Sequence, residues 1–147
     1  MLNRKIDSYL KDYYQKSSNA LLITGARQVG KTYSIREFGK TFKSFIEINF
    51  IENPDVVGLF KDAKGSADIL MRLSTITNVP MIKGDTLIFF DEVQECPDIV
   101  TAIKFLVDEG SYRYILSGSL LGVELKYIRS VPVGYMGVKE MFPLDFE

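Results

Sequence analysis

The sequence predicts a three-layer α/β domain built around a largely parallel sheet. Short apolar runs alternate with amphipathic stretches along the chain, as expected where each strand is followed by a crossover helix. A glycine-flanked loop, Gly25 to Gly30, separates the first apolar run from the helical stretch after it. A later run, Leu87-Ile88-Phe89-Phe90, is apolar throughout and ends in two carboxylates, Asp91 and Glu92. Runs of that kind suit a strand covered on both faces.

Residues 2–16 read as a helix, because Leu2, Ile6, Tyr9/Leu10 and Tyr13 recur at helical spacing with charges between them. Ser17-Ser18-Asn19 stops it, and Ala20 to Thr24 forms a buried strand. Helical spacing resumes at Lys31 and puts Ile35, Phe38 and Phe42 on one face. Ser44 to Phe50 is a second strand. Asn53-Pro54-Asp55 is a turn that opens two helices, over 55–63 and 66–78, divided near Gly65. Gly84-Asp85 turns the chain into the strand Thr86 to Phe90. Pro97 and Asp98 open a helix whose Ile99, Ile103 and Leu106 share a face, and Gly110 ends it. Tyr112 to Leu116 is a fourth strand ending at Ser117-Gly118-Ser119. A short helix over 120–129 and a fifth strand over 138–144 complete the chain.

Composition removes several classes of chemistry. With 147 residues, one domain is the expectation. The 18 Lys+Arg nearly balance the 19 Asp+Glu, and the isoelectric point near 5.6 argues against a strongly basic nucleic-acid domain. The chain has no histidine, so triads, metal sites and proton shuttles that need one are excluded. Its single cysteine, Cys96, can form neither an internal disulfide nor a cysteine-based zinc site. No apolar run approaches the ~20 residues of a membrane span. A cytoplasmic, reduced, soluble domain is the expectation.

Gly25-Ala26-Arg27-Gln28-Val29-Gly30-Lys31-Thr32 matches G-x-x-x-x-G-K-[ST]. By average composition such a match arises by chance about once in two hundred chains of this length, and this one lies between a strand and a helix as the motif requires. Two glycines permit the backbone angles that let the loop wrap a phosphate and aim its N–H groups inward. The helix that follows adds its positive end. Lys31 would reach the β- and γ-phosphates, and the Thr32 hydroxyl would bind Mg²⁺. Gly25, Ala26, Arg27, Gln28, Val29, Gly30, Lys31, Thr32 and Tyr33 are the candidate nucleotide contacts.

Sixty residues beyond Lys31 stands Asp91, at the carboxyl end of a strand, where open α/β sheets bind their ligands. Asp91 would hold Mg²⁺ with Thr32, and Glu92 would polarise the water that attacks the γ-phosphate. The Asp-Glu pairing suits a hydrolase whose sheet carries an additional strand, and the Asn-Lys-x-Asp tetrapeptide of guanine recognition is absent. Ser117 is the candidate γ-phosphate sensor, with Ser119 as its alternative. Arg27, inside the loop, is a contact to nucleotide or a neighbouring acid, or else a solvated surface arginine; Arg113 and Arg129 are the arginines to examine as contacts to transition-state charge. Cys96 reads as a packed thiol. The Lys11–Lys16 stretch, which mixes bases and aromatics, reads as an amphipathic helix rather than a nucleic-acid surface.

These residues together resemble the prokaryotic AAA-type ATPases whose ATPase core is followed by a C-terminal domain of unknown function. The stretches that carry the likeness are Gly25 to Thr32, Leu87 to Gln94, Gly118 to Val123, Pro132 to Gly134 and Pro143 to Glu147, with the strand pattern near Asn49. The resemblance implies a P-loop NTPase core of additional-strand type, with a sheet of about five parallel strands in the order 5-1-4-3-2. It also implies ATP and Mg²⁺ as cofactors, nucleotide contacts at Gly30, Lys31 and Thr32, and metal and catalytic roles for Asp91 and Glu92. Tyr135 stands where the family often has a lysine. Residues 1–147 are then expected to be an ATP-binding core cut short before a helical lid and the C-terminal domain. The partners expected are the nucleotide and that C-terminal domain, with a homo-oligomer or protein partner left open and no membrane. Mg²⁺-dependent ATP hydrolysis, slow in the isolated chain, is the activity expected. The alternatives are an ATP-dependent switch with little turnover and a DNA-associated ATPase; balanced charge argues against the latter for this segment.

Overall fold

The computed structural model describes residues 5–25, 30–118 and 135–140. In chain order they form α1 (Lys5–Lys16), β1 (Ala20–Thr24), α2 (Lys31–Gly39), β2 (Ser44–Asn49), α3 (Pro54–Leu59) and α4 (Ser66–Ser74). Next come β3 (Thr86–Asp91), a one-turn 3-10 helix (Val93–Glu95), α5 (Pro97–Glu109), β4 (Arg113–Gly118) and β5 (Met136–Glu140). All strand pairings are parallel, in the order β2-β3-β4-β1-β5. Read from the other edge this is 5-1-4-3-2, with β4 inserted between β1 and β3. The chain has the P-loop NTPase fold. No helix among the described residues is long and apolar enough to cross a membrane.

The period of two along each strand sorts the core into two halves. Leu21 and Ile23, Leu87 and Phe89, and Ile115 face α1 and α2, where they meet Ile6, Leu10, Tyr14 and Ile35. Leu22, Ile46, Ile48, Ile88, Phe90 and Leu116 belong to the other half, with Ile69 and Leu73 of α4 and Ile99, Ile103 and Leu106 of α5. The central strands β1 and β3 are buried at every position, whereas edge strand β2 alternates buried and half-buried residues.

The structure moves several predicted boundaries. α2 ends at Gly39, so Phe42 lies beyond it, although its ring still packs edge-on against Phe38 at 5.4 Å. α3 and α4 are shorter than the spacing suggested. Asp62 turns the chain with φ 61°, and Arg72 Nη1 of α4 donates to the carbonyls of Leu59 and Lys61 at 2.8 and 3.0 Å, closing the end of α3. Ser74 and Thr75 bond back to Met71 O and Arg72 O at 2.6 Å each, local bonds that compete with helix continuation. β4 extends through Ser117 and Gly118, which the sequence suggested were loop. β5 starts at Met136, two residues earlier than expected; 141–147 and the helix expected over 120–129 lie outside the described residues.

Candidate functional site

On the α2 side of the sheet, β2, β3 and β4 change character toward their carboxyl ends. Leu87 and Phe89 are followed in the same facing by Asp91, Ile115 by Ser117, and Phe45 by Glu47 and Asn49. Register aligns them: Asn49 pairs with Asp91, Asp91 with Ser117, and Ser117 with Ile23. A polar row thus tops the apolar half-core, at the end of the sheet where α2 begins.

Gly30 closes the phosphate loop in a left-handed conformation, φ 77° and ψ 13°, which glycine adopts without steric cost. Its carbonyl accepts from Ser34 N at 3.2 Å, the first turn of α2. Lys31, only 3% exposed, donates its ammonium to Gly25 O and Gly118 O at 3.1 Å each. The cation therefore sits where the ends of β1 and β4 meet. Gly25, Gly30, Lys31 and Thr32 are placed as the motif predicts; Ala26, Arg27, Gln28 and Val29 lie outside the described residues. Tyr33 is exposed on α2 and does not line the cleft described next.

A cleft of about 180 Å³ is lined by Lys31, Thr32, Arg36, Asn49, Glu52, Asp91 and Glu92. Four of the sequence candidates thus meet in one cavity. Asp91 is 5% exposed. Its carboxylate accepts from its neighbour's backbone, Glu92 N, at 2.9 Å and from Asn49 Nδ2 at 3.3 Å. Burial, with the charge of Glu92 beside it, pushes its pKa up to about 6 against the pull of the Glu92 N–H and Lys31. Glu92 is also buried and holds a left-handed backbone, φ 59° and ψ 49°. That conformation costs a non-glycine residue ~1–3 kcal/mol.

Ser117 is fully buried inside β4, not in the loop after it, and its Oγ finds no hydrogen-bond partner among the described residues. Thr24 Oγ1, at the end of β1, is in the same state. Orphaned hydroxyls at the carboxyl ends of neighbouring strands are unusual in a folded interior. Ser119 lies outside the described residues. Arg113 is corrected: it is the first residue of β4 and binds Ser17 O at 2.6 Å. Four residues of strand, about 13 Å, separate it from Ser117. Arg129 lies outside the described residues. Cys96 is fully buried, and burial pushes its thiol up to about 11, as befits a packed thiol. The Lys11–Lys16 stretch lies on α1 with Tyr14 buried in the core, the amphipathic pattern expected.

Sequence reasoning missed three contributors. Asn49 holds Asp91 with its amide nitrogen, while its Oδ1 accepts from Ile51 N and Glu52 N at 2.9 and 3.0 Å and shapes the turn after β2. Arg36, one helical turn after Thr32, reaches the cleft and makes a bidentate pair with Glu47, both bonds 2.7 Å. Gln94 donates to Glu92. A polar residue ending the strand beside the acidic one was the available signal for Asn49.

The residues present fit a magnesium nucleotide. The donors, the Thr32 hydroxyl and the carboxylate of Asp91, are hard oxygens of the type Mg²⁺ prefers. Among the described residues no group of three or more His, Cys, Asp or Glu side chains is placed to hold a metal ion. The buried Lys31 ammonium and the orphaned Ser117 hydroxyl, on the α2 side of the sheet, are groups complementary to an anion.

No curated protein matches the chain significantly. The AAA domain family matches residues 17–147, nearly the whole length, including every site residue named above. With this fold and this cleft, the chain belongs to the AAA domain family, whose members are nucleotide-binding, ATPase-like proteins.

Proposed function

We propose that the chain binds Mg-ATP and hydrolyses it to ADP and phosphate. The observation that carries this reading is the convergence of Lys31, Thr32, Asp91 and Glu92 on one cleft at the carboxyl end of the sheet. Lys31 and the loop amides bind the phosphates and offset their charge. Thr32 and Asp91 would hold Mg²⁺, which when bound neutralises charge on the β- and γ-oxygens. Glu92 orients a water molecule and takes its proton. The water oxygen bonds to the γ-phosphorus, and the bond to the β–γ bridging oxygen breaks, its electron pair leaving with ADP. Ser117 senses the γ-phosphate. Nearly all the rate gain in such a reaction is positioning and electrostatics. Arg113 stands at the far end of β4 and Arg36, at the cleft, is held by Glu47, so turnover is expected to be slow.

Calorimetric titration with Mg-ATP tests binding, with Mg-GTP and Lys31→Ala as controls. Binding of ATP, preferred over GTP and lost in a Lys31→Ala variant that keeps its circular dichroism, is expected. Phosphate release should fall at least a hundredfold in Glu92→Gln, the scale of losing a general base, while ATP binding persists. Absence of ATP binding by the wild-type chain would defeat the proposal.

A further inference from the structure

Glu92 is constrained from beyond its own backbone. Gln94 Nε2 donates to Glu92 Oε1 at 3.1 Å. Between the two lies Val93, fully buried in the half-core of α4 and α5. The 3-10 turn that carries Gln94 is closed by Glu95 N to Glu92 O at 3.1 Å and Cys96 N to Val93 O at 2.9 Å. Cys96 is fully buried as well. The turn is therefore pinned into the core at two points, and the half-buried Gln94 is carried on rigid backbone rather than on a loose loop.

A glutamate side chain has three rotatable bonds, and ordering it costs conformational entropy. A bond from an anchored amide limits that freedom while the site is still empty of substrate. An amide also suits the task chemically: it donates a hydrogen bond, carries no charge and does not titrate. The left-handed backbone at Glu92 aims the side chain, and Gln94 then fixes its end.

We propose that Gln94 is a positioning residue for hydrolysis, its anchored amide holding the Glu92 carboxylate in the orientation from which it engages the attacking water. The proposal rests on the ATPase reading above. Gln94 acts through Glu92 and not on the phosphates, so its removal should slow turnover and leave nucleotide binding intact.

Steady-state phosphate release by the wild-type chain, Gln94→Ala and Gln94→Glu tests this, with calorimetric Mg-ATP binding in Glu92→Gln and in Glu92→Gln/Gln94→Ala. Gln94→Ala should lower kcat about tenfold, the lower end of the loss seen when the hydrogen-bond partner that orients a metal ligand is removed, with KM within about twofold. Gln94→Glu, similar in size but presenting a like charge to Glu92, should lose at least as much. The two Glu92→Gln proteins should bind Mg-ATP equally. A Gln94→Ala kcat within about twofold of wild type overturns the positioning role alone. Weaker Mg-ATP binding in the double variant overturns it too, by showing a structural effect. Wild-type turnover no greater than that of Glu92→Gln overturns the ATPase reading, and the positioning role with it.

Discussion

Asp91 shows how a single residue can be chosen against stability. Its pKa is raised to about 6 because burial and the charge of Glu92 disfavour the anion. Between about pH 4 and that value the folded chain holds a proton that the unfolded chain has released, so stability falls as pH rises through this window. Above it, both states are ionised and the cost persists in full. Asp91→Asn removes the charge and keeps one acceptor, for Glu92 N, while its Nδ2 replaces the oxygen that accepts from Asn49. It should raise Tm by ~3 °C at pH 7.5, and by much less at pH 4, where the wild-type carboxyl is already largely neutral when folded. Differential scanning calorimetry at the two pH values checks this. An equal gain at both would show that charge burial is not the cause.

At the scale of elements, helix ends and close approaches decide the architecture more than propensity does. α5 starts at Pro97, whose missing N–H is no loss in a first turn, and ends at Gly110 with φ 80°. Gly39, the last residue of α2, is needed for a different reason. A Cβ built there would lie 2.3 Å from Cδ1 and 2.7 Å from Cγ of Phe45 on β2. Phe45 is itself stacked on Phe89, with centroids 6.4 Å apart, so its ring has little room to retreat. Alanine would gain up to ~1 kcal/mol in helix propensity, while forced overpacking costs ~1–3 kcal/mol. Gly39→Ala should therefore destabilise by about 1–2 kcal/mol, measured by urea unfolding. A stabilised variant would mean that the helix can roll away from β2.

For the whole molecule, sheet order sets which parts hold longest. β1, β3 and β4 each have neighbours on both sides, whereas β2 and β5 are the edges among the described strands. Tyr13 fastens β5 at one point, its hydroxyl donating to Ala20 O at 2.7 Å and accepting from Gly137 N at 3.3 Å. The Tyr14 hydroxyl ties α1 to the Tyr114 carbonyl of β4. Native-state hydrogen exchange should find the amides of β1, β3 and β4 slowest, near the global unfolding rate, with β5 at least about tenfold faster. Equal protection of β5 and β1 would place both in one cooperative unit. Asp91 and Ser117 lie on β3 and β4, Glu92 directly follows β3, and Lys31 of α2 binds carbonyls at the ends of β1 and β4, so the site is expected to share the persistence of the central strands.

Much of this was legible in the amino acids themselves. Apolar runs with period two, glycines at 25, 30 and 110, prolines at 54 and 97, and the phosphate-loop and Asp-Glu motifs are local signals. They sufficed for the fold class and most element positions, and they singled out Lys31, Thr32, Asp91 and Glu92, which the fold gathers at one cleft, because backbone preference and side-chain periodicity act within a few residues. The rest required neighbours distant in sequence. Ser117-Gly118 looks like a loop until pairing with β1 on one side and β3 on the other supplies its backbone partners. α3 stops where Arg72 reaches its carbonyls. Arg113 is removed from the site by the direction of β4, and Asn49 is brought to Asp91 by register across a strand boundary. Even Gln94, two residues from Glu92, finds its place because Val93 and Cys96 are buried against α4 and α5. Sequence periodicity determines which face of an element is apolar; only packing decides which polar groups then meet above it.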